Sequence, residues 1–169
     1  MDKLTRQIIV ATPKNPKEGY CRTVVLIIAD DAKRGTIGLC ITRPVPIIEC
    51  ICGICEQPPI PLFLGGPEGT NECFFFLHDQ PKLAGKKKKI MAEGVFLSCI
   101  HKTDYFTEGN AKVITGFCQW DAHELRSEIR KGWWLLDPNP DPALILQHEP
   151  KKLWKDLTPR HYSLEFSEN

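Results

Sequence analysis

The sequence predicts an α/β chain of the α+β kind: a large mixed β-sheet flanked by short helices. Three observations predict it. Short apolar runs bounded by Gly, Pro, Asn and Asp recur along most of the chain, which is the pattern of strands separated by turns. One of these runs, Val24 to Ala29, is apolar at every position, as in a strand covered on both faces. Helical patterns are few and short, and they fall among the strands in mixed order, which suits a mixed sheet with helices packed on it.

The elements follow in order. Gln7 to Thr12 reads as a strand closed by Pro13 and a polar Lys14–Gly19 loop. Arg22 to Ala29 is the second strand, Asp30 to Gly35 turns the chain, and Thr36 to Thr42 is the third, ending at Arg43-Pro44. Ile47 to Glu56 is the one helical candidate of the first half. Leu62–Leu64 and Glu72–His78 are strands on either side of the Gly65-Gly66-Pro67 turn. Lys89–Glu93 and Val95–Ile100, pivoting on Gly94, predict a hairpin, and Thr103 to Glu108 one or two helical turns.

Lys112 to Cys118 is the next strand. Asp121-Ala122-His123-Glu124 has capping-box spacing, with the Asp121 side chain able to accept from the amide three residues on, and opens a helix that stops at Gly132. Trp133–Leu136 is a short strand. Pro142–Gln147 and Lys151–Leu157 are short helices. Residues 1–158 are therefore expected to form a single domain and 159–169 a loose polar tail.

At 169 residues, 42% hydrophobic and 25% charged, the chain has the size and composition of one ordinary globular domain. Its 22 basic and 21 acidic residues leave a net charge of +1, which gives no support to general nucleic-acid binding. Asp2 and the lack of an apolar region near the start argue against a secretory signal, and no run approaches the roughly 20 apolar residues of a membrane span. The expected location is the cytosol, with no membrane contact. In that compartment the eight cysteines are expected reduced, with Cys40, Cys73, Cys99 and Cys118 sitting in apolar runs as small hydrophobes.

An ordered series of segments then resembles the YqgE/AlgH family of bacterial proteins. It comprises Ile8-Ile9-Val10-Ala11-Thr12-Pro13, Gly35 through Leu39 to Arg43-Pro44, Leu64-Gly65-Gly66-Pro67, Phe76-Leu77-His78, Gly116-Phe117-Cys118-Gln119-Trp120 and Gly132-Trp133-Trp134-Leu135. The likeness spans roughly residues 4–157. It implies a compact α+β or three-layer fold on a large mixed sheet and no assigned reaction, with a transcriptional-regulator label of genetic rather than mechanistic origin. Thr42 departs from the asparagine usual in the family before Arg-Pro.

Four sets of residues carry candidate chemistry. Thr12, Arg22, Arg43, Gly65, Gly66 and His78 lie at strand ends or in adjoining turns, where α/β folds place ligands. There the arginines could grip an anion, the glycines allow close backbone approach and His78 transfer a proton. The same residues could equally pin loops and make a tight turn. Cys50, Cys52 and Cys55 have dithiol or partial metal-site spacing, against a reading as apolar helix packing. Lys86 to Lys89 could attract phosphate or be a solvated loop, and Trp120, Trp133 and Trp134 could be a ligand platform or sheet packing.

No nucleophile elbow, phosphate loop, zinc-protease helix or dinucleotide fingerprint occurs, so no cofactor is expected. The leading expectation is a non-enzymatic regulatory or partner-binding protein with a protein partner. The alternatives are a small-anion binder or enzyme using Arg22, Arg43 and His78, and a thiol redox or metal protein using Cys52 and Cys55. Direct DNA binding is not expected, because no basic recognition helix is visible.

Overall fold

The computed structural model describes residues 3–46 and 60–165, with side chains through Thr158. In chain order its strands are β1 (Ile8–Ala11), β2 (Val24–Asp31), β3 (Gly35–Cys40), β4 (Leu62–Leu64), β5 (Phe74–His78), β6 (Lys89–Ala92), β7 (Val95–Ser98), β8 (Ala111–Thr115), β9 (Cys118–Trp120) and β10 (Trp134–Asp137). The α-helices are α1 (Glu124–Arg130), α2 (Pro142–Leu146) and α3 (Pro150–Glu165), and short 3-10 helices lie at Glu18–Tyr20 and Ile100–Tyr105, the second starting three residues before the turns expected at Thr103–Glu108.

The α+β class holds, and the strands divide into two five-stranded sheets. The first, ordered β10-β1-β2-β3-β9, is antiparallel throughout. The second, β4-β8-β5-β7-β6, is mixed, with β4 and β8 parallel. Alternation along β1 and β2 explains the three layers. Ile8, Val10, Leu26 and Ile28 face a core shared with Phe63, Leu77 and Ile114 of the second sheet. Ile9, Ala11, Val25 and Ile27 face the opposite way, onto Trp120, Leu125 and Trp134. A strand whose two faces both meet apolar layers must be apolar at every position, which accounts for Val24–Ile28.

Two predicted elements change. The run read as one strand from Lys112 to Cys118 breaks at Gly116, whose φ of 77° suits glycine. There the chain leaves the second sheet as β8 and joins the first as β9. The last helix does not stop at Leu157 but continues to Glu165 through Pro159, taking in part of the segment read as a loose tail; the missing proline N–H forgoes one helical hydrogen bond.

The start of α1 also differs from the expected cap. His123, at φ 71°, precedes the helix, and no side chain caps it. The Glu124 carboxylate accepts from the Asp121 N–H at 2.9 Å, while the Asp121 backbone carbonyl, rather than its side chain, accepts from the Glu124 N–H. Arg126 then clamps α1 to β2 by donating to both Asp30 oxygens, at 3.1 and 2.7 Å. Burial alone would raise the Asp30 pKa, but hydrogen bonds from Arg126, the Leu4 N–H and Thr36 carry it down to about 2. Among the described residues no helix is long and apolar enough to cross a membrane.

Candidate functional site

Of the predicted site residues, Arg43, Gly65 and Gly66 fall on the seam where the two sheets meet. Past β3 the chain runs alongside β4: Arg43 and Leu62 carbonyls accept from the Leu64 and Val45 N–H groups, and Pro44 bridges Phe63. Gly65 joins both sheets through its backbone, accepting from Cys40 N–H and donating to the Thr115 carbonyl, each at 2.8 Å. A Cβ on Gly65 would lie 2.3 Å from the Gly116 oxygen, and one on Gly66 would lie 2.2 Å from the Phe117 carbonyl. These glycines are therefore required by backbone crossing backbone.

Thr12 is consumed by the same framework. Its hydroxyl donates to the Gly132 carbonyl at 2.6 Å and accepts from the Lys14 N–H at 3.2 Å, tying the end of β1 to the turn before β10. Arg43 donates through Nη2 to the Gly19 carbonyl, linking the seam to the loop before β2.

His78 stands apart from this group. It pairs with Ala111 at the start of β8, whereas Gly65 reaches Thr115 at its end. The ring is fully buried, stacked against Phe76 with centroids 4.7 Å apart and tilted on Phe96 at 5.8 Å. Its Nδ1 accepts from the Gln80 N–H at 3.1 Å, which assigns the proton to Nε2, 2.7 Å from the Ser98 hydroxyl. Burial lowers its pKa and the charge of Asp79 offsets only part of that. Imidazole nitrogen–proton correlation spectra should accordingly show an Nε2–H ring still neutral below pH 6.5, the ordinary histidine pKa. A ring that charges at the ordinary value would refute the burial.

Among the described residues, one cleft includes Arg43 in its lining and another includes the neighbouring Thr42. One, about 350 Å³, lies among Lys17, Tyr20, Arg43, Leu64, Gly66 and Thr70. The other, about 470 Å³, lies among Arg22, Thr42, Pro150, Lys151, Trp154 and Lys155. So Gly66 and Arg43 share one cleft, Arg22 lines the other, and His78 lines neither.

Residues 8–162 match the model of the AlgH-like family. This chain belongs to the AlgH-like family. Similar proteins include a UPF0301 protein of Methylococcus capsulatus, 29% identical and aligned over 89% of this chain and 87% of its own. One of Pseudomonas fluorescens is 30% identical over 89% of this chain and 84% of its own. Among solved structures, the AlgH protein of Pseudomonas aeruginosa aligns with a TM-score of 0.70, 19% identity, and 95% and 89% of the two chains. A Corynebacterium diphtheriae protein aligns at 0.73, again with 19% identity, over 95% and 88%. At that identity the structural likeness establishes the fold.

The thiol set of this AlgH-like chain is only partly within view, since Cys50, Cys52 and Cys55 lie outside the described residues, as does the Ile47–Glu56 helix candidate. Of the four cysteines read as buried, Cys40 and Cys118 are, Cys73 is half-buried and Cys99 is exposed, because it sits just past the end of β7. Burial pushes the Cys118 thiol up to about 12, which keeps it an inert hydrophobe. Lys86 to Lys89 are all exposed, as a solvated loop would be. Trp120 and Trp134 are buried.

Two charged residues that the sequence reading passed over prove to be interior. Glu128 is 3% exposed; its Oε2 accepts the indole N–H groups of Trp120 and Trp134 at 3.1 and 2.7 Å, and its Oε1 takes Lys17 Nζ at 2.5 Å. Burial works against the Lys17 charge, but Glu128 and Glu124 pull its pKa above the ordinary lysine value. Lys112 is 2% exposed, and among the described residues its Nζ has no hydrogen-bond partner, lying 4.7 Å from the centre of the Phe63 ring. Both had signals in the sequence. Glu128 follows Leu125 by three positions, on the apolar face of α1, and Lys112 shares a strand face with Ile114.

Proposed function

We propose that this protein works by binding rather than turnover, as a cytosolic regulatory or partner-binding member of the AlgH-like family. The observation that carries this reading is the fate of the groups a reaction would need. His78, the one proton-transfer candidate of the set, is fully buried with a protein partner for each ring nitrogen, and it lies at the far end of β8 from the Arg43 cleft. Without it the two arginines offer charge and hydrogen bonds, which recognise a ligand but transfer no proton. In this reading the regulatory effect passes through a protein partner rather than through direct contact with DNA.

The test is an unbiased one. Purified protein incubated with a bacterial metabolite extract should leave every metabolite unchanged by mass spectrometry, relative to heat-inactivated protein. Conversion of any metabolite, abolished by Arg43→Ala in a protein that still folds, would overturn the reading. Arg43→Ala itself should lower stability by only about 1 kcal/mol, the net value of one hydrogen bond, measured by urea unfolding.

A further inference from the structure

We propose that the cleft between the Arg22 turn and the first turns of α3 binds a small phosphorylated anion. Its lining residues are Arg22, Thr42, Pro150, Lys151, Trp154 and Lys155, three cations and no acid. Of the acids beside it, Glu149 pairs with Lys152 at 3.0 Å, and Asp156 lies 3.0 Å from His148 Nε2. Among the described residues no carboxylate forms an ion pair with Arg22, Lys151 or Lys155. Three like charges around one concavity repel one another, and an anion seated among them relieves that repulsion.

Arg22 is also held in place, as a recognition group should be. The Trp154 indole is fixed by donation to the Ala11 carbonyl at 2.6 Å, and the Arg22 guanidinium lies over that ring, 5.8 Å from its centre. The backbone of Arg22 is left-handed, with φ 54°, a conformation that a residue with a Cβ adopts only at a cost. The turn maintains it through two bonds to the Tyr20 carbonyl, from the Thr23 N–H at 3.2 Å and its hydroxyl at 2.7 Å. Strain maintained at a cationic side chain on the rim of a cleft is how recognition sites are commonly built. The planar fork suits the paired oxygens of a phosphate, with Lys151 and Lys155 supplying point charges beside it.

Size and net charge narrow the class. A cleft of about 470 Å³ is within the range of small-ligand sites and larger than a bare phosphate needs, so the ligand carries a second phosphate or an organic body. The chain is nearly neutral at +1, which suits a small ligand better than a nucleic-acid polymer. The inference does not rest on the non-catalytic reading.

Calorimetric titration of the whole protein with ADP and with inorganic pyrophosphate, at physiological ionic strength, tests it. Binding is expected, with Arg22→Gln and Lys151→Gln each raising Kd roughly tenfold and the double substitution about a hundredfold. All the replaced side chains are exposed, and circular dichroism will verify that the variants fold. Backbone and indole resonance shifts should centre on Thr42 and Trp154. Tighter binding of ADP than of pyrophosphate identifies a nucleotide, and equal or weaker binding identifies the phosphate groups alone; either sustains the site. No binding at millimolar ligand, undiminished binding by the double variant, or shifts clustered elsewhere would overturn it. If ADP bound and were hydrolysed, the site would stand and the non-catalytic reading would fall.

Discussion

Glu128→Ala should destabilise the protein by about 2–5 kcal/mol, because it strips the partner from two buried indole donors, whereas the Lys17 ammonium it also releases is partly exposed. The geometry argues for the upper half. One carboxylate satisfies three donors at once: two indole N–H groups through Oε2, and Lys17 through Oε1. Truncation leaves the indoles of Trp120 and Trp134 facing a void with their donors unmet, at about 1–3 kcal/mol for each buried group. Tyr20 stacks on Trp120 at 5.8 Å and meets Trp134 edge-on at 5.3 Å, so the cage has little room to collapse. In a chain of this size the loss corresponds to a fall in Tm on the order of 10 °C. Tryptophan fluorescence reports directly, because two of the four tryptophans are in the cage. Glu128→Gln, which keeps an acceptor but discards the charge, should fall between wild type and Ala. A loss under about 1 kcal/mol for Ala would mean that water already serves the indoles.

The consequence for function is positional. Lys17 and Tyr20 line the Arg43 cleft and also hold the Glu128 cage, so the wall of that cleft is anchored to the core beneath α1. Loss of the cage should therefore loosen the cleft without touching Arg43 itself.

How much of this was legible beforehand depended on whether the signal was local. Apart from the Lys112–Cys118 run, the strands were read to within two residues because alternation and turn residues are properties of a few neighbouring positions. The hairpin around Gly94 and the stop at Gly132 have the same origin: both glycines sit at φ near 70°, where a side chain is disfavoured. The division into two sheets was not legible, because a strand buried on both faces reads the same in one layered sheet as between two. Gly116 was the clue, a glycine inside an apolar run, and it marks where the chain changes sheets. The site set mixed two kinds of residue. Gly65, Gly66 and Arg43 converge on the seam, whereas Thr12 ties β1 to the turn before β10 and His78 shares only their place at a strand end. Which end of which strand meets which is decided by register, and register is set by contacts between residues far apart in sequence. Glu128 and Lys112 were not singled out, although the periodicity of α1 and β8 placed both inside.

Lys112 supplies the second large effect, in the opposite direction. Burial lowers its pKa from 10.5 to about 8, with the charge of Cys40 offsetting only part. The folded pKa lies below the unfolded one, so the unfolded chain binds the extra proton between those values. Stability from this residue is full above pH 10.5, falls as the pH drops towards about 8, and stays at its lower level at neutral pH, where the folded protein holds a buried charge. At about 1.4 kcal/mol per pKa unit, the deficit at pH 7 is about 3 kcal/mol. Lys112→Met keeps the chain length and removes the charge, but it also gives up the ammonium's contact with Phe63, about 1 kcal/mol. The expected net gain is about 2 kcal/mol at pH 7, measured by urea unfolding. That gain should shrink as the pH rises from 8 to 10.5, where the wild-type amine sheds its proton. A Lys112→Met protein no more stable than wild type at pH 7, or a gain indifferent to pH, would mean that the ammonium has water or a bound anion beside it. The same titration thus reports whether the core at β8 is dry.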